Sequence, residues 1–256
     1  MVRFATLLLI TALTAGCASF FEGLQNSVEN RVQQLLTSKF TGLFTEGIDT
    51  VINGLAVEGG FLDDPLVRIL LPPPLGLALG VARELQRDPQ AALLETLINH
   101  AAEGAIPVAG PILKDMIVKM DTEKLQGLLD APDGAVTEYL KEEGGAAVKA
   151  VLLPAVTQQL RANGALQLYG ELVAAKQQAS EQVVPPEMAS DIATSVGAVT
   201  DQVKQEEHSP LLQPPVAPEQ LGDYVAEKAM GGLFKKVAGQ EIAVRDSVSK
   251  MVEVPF

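Results

Sequence analysis

The chain has 256 residues, with 19 Lys+Arg against 32 Asp+Glu for a formal charge of −13; 47% of residues are hydrophobic and 20% charged. That balance suits a folded chain, long enough for one large core or two small ones. Aromatics make up only 4% and Trp is absent, so acidity and scarce stacking platforms together exclude nucleic acid as a partner. The single Cys excludes a disulfide within the chain and any multi-thiolate metal site, and two His residues leave little for a His-based metal centre. No metal and no cofactor are expected.

Residues 1–16 read as a signal peptide. Arg3 supplies the positive start, Phe4 to Leu13 form a short apolar run, and Thr14-Ala15-Gly16 bring small residues up to Cys17. The run is too short for a spanning helix and right for an export signal. Its end resembles the bacterial lipobox, in which the Cys thiol is diacylglycerylated and becomes the first residue. Thr14 occupies the usual Leu position, with Leu13 one place earlier. Each buried lipid CH₂ contributes about 0.8 kcal/mol, so two or three acyl chains such as palmitate anchor a protein stably. Ala18 and Ser19 follow Cys17, rather than the Asp that retains lipoproteins at the inner membrane. The expected setting is the outer membrane, with the lipid on Cys17 as anchor, the domain facing the periplasm, and a protein partner in the envelope.

Residues 17–56 form an N-terminal amphipathic helical segment. Phe20, Leu24, Val28, Val32, Leu35, Leu36, Leu43, Phe44, Ile48, Val51, Ile52 and Leu55 recur mostly at spacings of three or four. The pattern fits either one amphipathic helix or a broken pair, with Thr41-Gly42 as the place for a break. The helical core spans 57–182. It opens with a turn at Gly59-Gly60, then a short helix capped by Asp64, started by Pro65 and stopped by Pro72-Pro73-Pro74. Leu75 to Arg87 resume a helical pattern. Asp88-Pro89 open a helix to about Glu103, and another follows over Pro107 to Met120. Asp121 caps a helix reaching Leu129, and Ala131-Pro132-Asp133-Gly134 make a turn. Helices are expected at Ala135 to Glu143, Ala146 to Ala162 (with Pro154 as a kink point) and Ala165 to Gln182.

Residues 183–219 are a Pro/Gln/Glu-rich segment with a weak helical pattern over Glu187 to Glu207. A C-terminal helix and tail occupy 220–256, with Leu221, Val225, Leu233 and Val237 on one stripe. Gly231-Gly232 within that helix point to close helix packing. Alternating β-branched strands are absent from the pattern. The fold class is all-α, a multi-helix bundle or stacked helical array with short connections.

Several spaced motifs coincide with a known pattern. Gly60-Phe61, Pro65, Ile69 and Leu71-Pro72, then Asn99-His100-Ala101-Ala102-Glu103 with Pro107 and Ala109, are the first two. Met120-Asp121, Thr137-Glu138-Tyr139-Leu140, and Tyr224-Val225 with Lys228-Ala229, Gly232-Leu233-Phe234 and Arg245 complete the set. In this order the motifs resemble the bacterial family of domain of unknown function 4197, over roughly Val57 to Lys250. His100 stands where that family usually has Arg, Leu140-Lys141 where it has Phe-Arg, and Gly231 where it has Asp. The resemblance implies an exported, mostly helical protein and lends no activity.

No Gly-x-Ser-x-Gly elbow, phosphate loop or His-Glu-x-x-His is present. His208 lies in the Pro-rich segment. His100 and Glu103 share one helix face at i and i+3, too few for a di-metal bundle. The carboxylate pairs Asp63-Asp64, Glu142-Glu143 and Glu206-Glu207 are sequence neighbours and point apart on a helix. The candidate polar site is Arg68, Asn99, His100, Glu103, Tyr139, Tyr169, Tyr224 and Lys228. Its competing reading is that the tyrosines bury their rings and satisfy their hydroxyls locally. Phe256 resembles the terminal Phe of outer-membrane barrels, without strands before it to give that meaning. The function expected is a non-enzymatic interaction or scaffold module; the alternative is a carrier or sensor of an apolar ligand or lipid held between helices.

Overall fold

The structure, a computed structural model, describes residues 31–72, 75, 89–183 and 216–252. The expectations for the signal peptide, Cys17, the stripe positions Phe20, Leu24 and Val28, Gly76 to Arg87, Asp88, Glu187 to Glu207, His208 and Phe256 lie outside these residues. The described elements are all helical. Helix α1 covers 31–56, α2 Pro89–Ala105, a 3₁₀ turn Ile106–Ala109, and α3 Gly110–Lys119. Then come α4 Thr122–Leu129, α5 Ala135–Ala162, α6 Ala165–Val183, a 3₁₀ turn Pro218–Gln220 and α7 Leu221–Val252. Among the described residues no helix is long and apolar enough to cross a membrane.

Helix α5 is the axis of the array and packs against α2, α3, α4, α6 and α7. One continuous apolar core joins all the helices. From α1 it takes Phe40, Phe44, Ile48, Ile52 and Leu55, with the rings of Phe40 and Phe44 stacked 5.2 Å apart. Of the two readings of this segment, the unbroken helix forms, and the chain does not break at Thr41-Gly42. A helix-interior Gly costs about 1 kcal/mol against Ala, while each fully buried large apolar side chain contributes roughly 1.5–3 kcal/mol. The stripe wins. At its start Val32 and Leu35 are exposed rather than part of the stripe.

The expected helix from Pro65 to Leu71 is also absent. Asp64 does act as a cap, its Oδ1 accepting from Leu66 N at 3.0 Å, but the chain makes one turn and then extends through Leu71. Pro72 disfavours a helical residue before it, and Asn99 takes over the backbone of Ile69, as described below. The expected gap between Glu143 and Ala146 closes, because α5 runs unbroken through Gly144-Gly145 and Pro154. A Cβ at Gly144 would meet the flexible end of Met116 on α3, which would have to shift to admit it. Gly232 behaves as expected, since a Cβ would press on Val67 Cβ and Phe61 Cε1 at 3.1 and 3.2 Å. Its neighbour Gly231 faces open space.

Local signals hold elsewhere. Asp121 accepts from Glu123 N at 2.9 Å as the cap of α4. The turn before α5 places Gly134 at φ +89°, where a side chain would be strained. Leu221, Val225, Leu233 and Val237 are all fully buried along α7.

Candidate functional site

The expected polar residues converge on the segment from Phe61 to Leu71, which lies against α2 and α7. Asn99 and Glu103, one turn apart on α2, are both buried. Asn99 Oδ1 accepts from Ile69 N at 2.9 Å, and its Nδ2 donates to the carbonyls of Ile69 and Glu95, each at 2.8 Å. The amide therefore replaces a strand partner for an isolated extended residue, meeting the requirement that buried backbone groups be paired. Glu103 Oε1 accepts from Phe61 N at 3.0 Å and Leu62 N at 3.3 Å.

His100 sits beside that carboxylate, Nε2 at 3.9 Å from Glu103 Oε2, with its side chain 37% exposed. Arg68 pairs with Glu95. From α7, Tyr224 donates its hydroxyl to Leu70 O at 3.0 Å, and Lys228 Nζ lies 5.4 Å from the Tyr224 ring. Tyr169 is fully buried and donates to Val216 O at 2.7 Å. Burial pushes both Tyr169 and Tyr224 up to about 12, with the neighbouring Tyr224 adding to the effect on Tyr169. These phenols stay protonated at neutral pH and serve as donors, not bases. Tyr139 stands apart on α5, half-buried, with Lys124 Nζ 4.8 Å above its ring. The structure thus gathers six of the eight side chains around one segment, places Tyr169 beside Tyr224, and leaves Tyr139 out. Tyr169 and Tyr224 do satisfy their hydroxyls locally.

Three residues outside the expected set complete this framework. Lys236 on α7 pairs with Asp64, whose carboxyl it holds below the usual carboxylate range with help from Leu66 N–H. Glu241 and Arg245, one turn apart on α7, cap two other helices at once. Glu241 is fully buried and accepts from the N–H groups of Gly134, Val136 and Thr137 and from the Thr137 hydroxyl, at 2.6–3.2 Å. Arg245 donates to the carbonyls of Leu128, Leu129 and Ala131 at 2.8–3.1 Å and pairs with Glu241 at 2.9 Å. The carboxylate meets the N-terminus of α5 and the guanidinium the C-terminus of α4, the signs the helix dipoles favour. A signal for Glu241 existed: it falls at i+4 and i+8 of Val237 and Leu233, inside an apolar stripe. A carboxylate in a core register demands partners.

Among the described residues no buried side-chain N or O lacks a partner, and no three His, Cys, Asp or Glu side chains converge as metal ligands. Asn99, Glu103, Tyr169 and Tyr224 clamp backbone groups, whereas Arg68 pairs with the Glu95 carboxylate and Lys228 lies over the Tyr224 ring.

The family model described as protein of unknown function (DUF4197) matches residues 32–253. No curated protein and no solved structure matches the chain.

Proposed function

The chain belongs to the DUF4197 family of proteins of unknown function, and on that premise we propose that it is an outer-membrane lipoprotein whose periplasmic helical domain is a non-enzymatic interaction module. The anchor reading rests on the lipobox-like run ending at Cys17. The role rests on one observation: Asn99, Glu103, Tyr169, Tyr224 and Glu241 are engaged with backbone groups. A general base or nucleophile needs a lone pair or proton free for substrate, and these groups spend theirs on holding the fold. The larger grooves along the described helices are open rather than enclosed, such as one of 660 Å³ between the start of α5 and α7. This favours contact with a macromolecule over enclosure of an apolar ligand.

The test is a photo-crosslinker placed at exposed positions of α5 and α7 in intact cells, alongside palmitate labelling of the wild type and Cys17→Ala. Discrete crosslinked species and label lost in Cys17→Ala are expected. Failure of crosslinking at every position would overturn the interaction role, and label retained in Cys17→Ala would overturn the anchor.

A further inference from the structure

We propose that the groove along the outer face of α7 binds an extended acidic segment of a partner protein, held by Lys228 and Lys235. This rests on the interaction reading and gives it a site and a chemistry. Two adjoining openings make up the groove, 660 Å³ toward the start of α5 and 340 Å³ toward Leu66 and Arg68, and both are lined by Gly231 and Lys235. Its walls include apolar surface at one end, where Leu66 is 68% exposed; Phe234 borders the other end as a buried core residue.

Charge decides the occupant. The carboxylates lining the groove have cations other than Lys228 and Lys235 beside them: Glu138 has Lys141, Glu227 has Lys149, shared with Asp223, and Asp133 has Arg245 at 3.9 Å, shared with Glu241. Arg68 is matched by Glu95. Lys228 and Lys235 are exposed and have no carboxylate within ion-pair distance among the described residues. Two uncompensated cations therefore face one groove in a chain of net charge −13. Seven residues apart, they stand about 10.5 Å apart along the same helix face. In a polyproline II segment, residues three apart lie about 9.3 Å apart on the same side. Carboxylates at that spacing fit the two ammonium groups, and apolar residues between them fit the floor.

The floor also carries an unforced opening. Of the groove glycines, Gly134 is required by its positive φ and Gly232 by its contact with Phe61 and Val67, whereas nothing lies within 4 Å of a Cβ at Gly231. The fold does not need glycine there, though glycine is the costliest non-proline residue in a helix interior. Its absence of side chain lets a bound backbone approach α7.

The experiment is fluorescence anisotropy on the full-length protein in non-ionic detergent, with a labelled Glu-Pro-Leu-Glu-Pro-Leu peptide and the same peptide carrying Lys for Glu. Only the acidic peptide should bind, more weakly as salt is raised. The double variant Lys228→Glu/Lys235→Glu should weaken it at least tenfold. Gly231→Leu should do the same while the melting temperature holds or rises, which separates blocking from unfolding. Equal binding of both peptides, no binding of either, or variants without effect would overturn the proposal. So would phosphatidylglycerol vesicles competing through the same lysines, which would assign the groove to lipid headgroups. In-cell crosslinks elsewhere with no peptide binding here would remove the groove and leave the interaction role standing.

Discussion

Asn99 gives the clearest case of a polar side chain whose work is structural. Its amide is the only described partner for both backbone groups of Ile69. Replacing it with Ala leaves a buried donor and acceptor unpaired, each costing about 1–3 kcal/mol. Asn99→Ala should therefore lose roughly 2–6 kcal/mol in urea unfolding, and Asn99→Asp should lose less at pH 4 than at pH 7. The sign follows from geometry: a carboxylate at that position would face the carbonyl of Ile69, whereas its protonated form can donate to it. Gly60 makes a second test at this scale. A Cβ there would meet the carbonyl oxygens of Gly54 and Leu55 at 2.6 Å, and backbone cannot swing aside as a side chain can. Gly60→Ala should cost about 1–3 kcal/mol, whereas Gly42→Ala, with open space around it, should stabilise by a few tenths to 1 kcal/mol.

Helix α5 begins without a cap of its own, because Gly134 has no side chain to offer. The N-terminal donors of a helix need partners; here a carboxylate from α7 accepts from Gly134, Val136 and Thr137, and the carbonyl of Pro132 from Ala135. Removing one partner of a buried, hydrogen-bonded pair costs about 3–5 kcal/mol. Glu241→Ala should accordingly lower the melting temperature by roughly 6–20 °C, and hydrogen exchange should speed up first at Val136 and Thr137. Glu241→Gln keeps one oxygen acceptor and should fall between the two. If exchange at these amides were unchanged in Glu241→Ala, water would be capping α5 equally well.

Across the whole molecule, the tyrosines join α6 and α7 to the segments at Leu70 and Val216. Both phenols are raised to about 12 in the folded chain against about 10 unfolded. A raised value means the folded state resists losing the proton. The stabilisation is full below pH 10 and is lost as pH rises from 10 through 12, more for the fully buried Tyr169 than for Tyr224, where partial exposure to solvent screens it. Circular dichroism at fixed urea should show a steep alkaline transition in that window, flattened in Tyr169→Phe and Tyr224→Phe. A transition unaffected by both changes would mean the phenols titrate normally. At the acid end, Asp64 is held low by Lys236, so its contribution is present above about pH 4 and declines as pH falls below that.

How much was legible follows from the range of each interaction. By itself the sequence determined the all-α class, the cap at Asp121, the turn before Gly134 and the core stripe of α7, since each depends on residues within a few positions of one another. It also supplied the motifs by which the family is recognised. It left open whether the chain breaks at Thr41-Gly42 and misread a break at Gly144-Gly145, where distant packing outweighs a glycine's local cost, and it misread the helix after Pro65. Only the tertiary structure decided what the polar residues do. Asn99 reaches Ile69 across 30 residues and Glu241 reaches Thr137 across 104. Nothing in a residue's own neighbourhood distinguishes a side chain that will meet a substrate from one that will meet a backbone amide, because that choice is made when two remote segments are packed together.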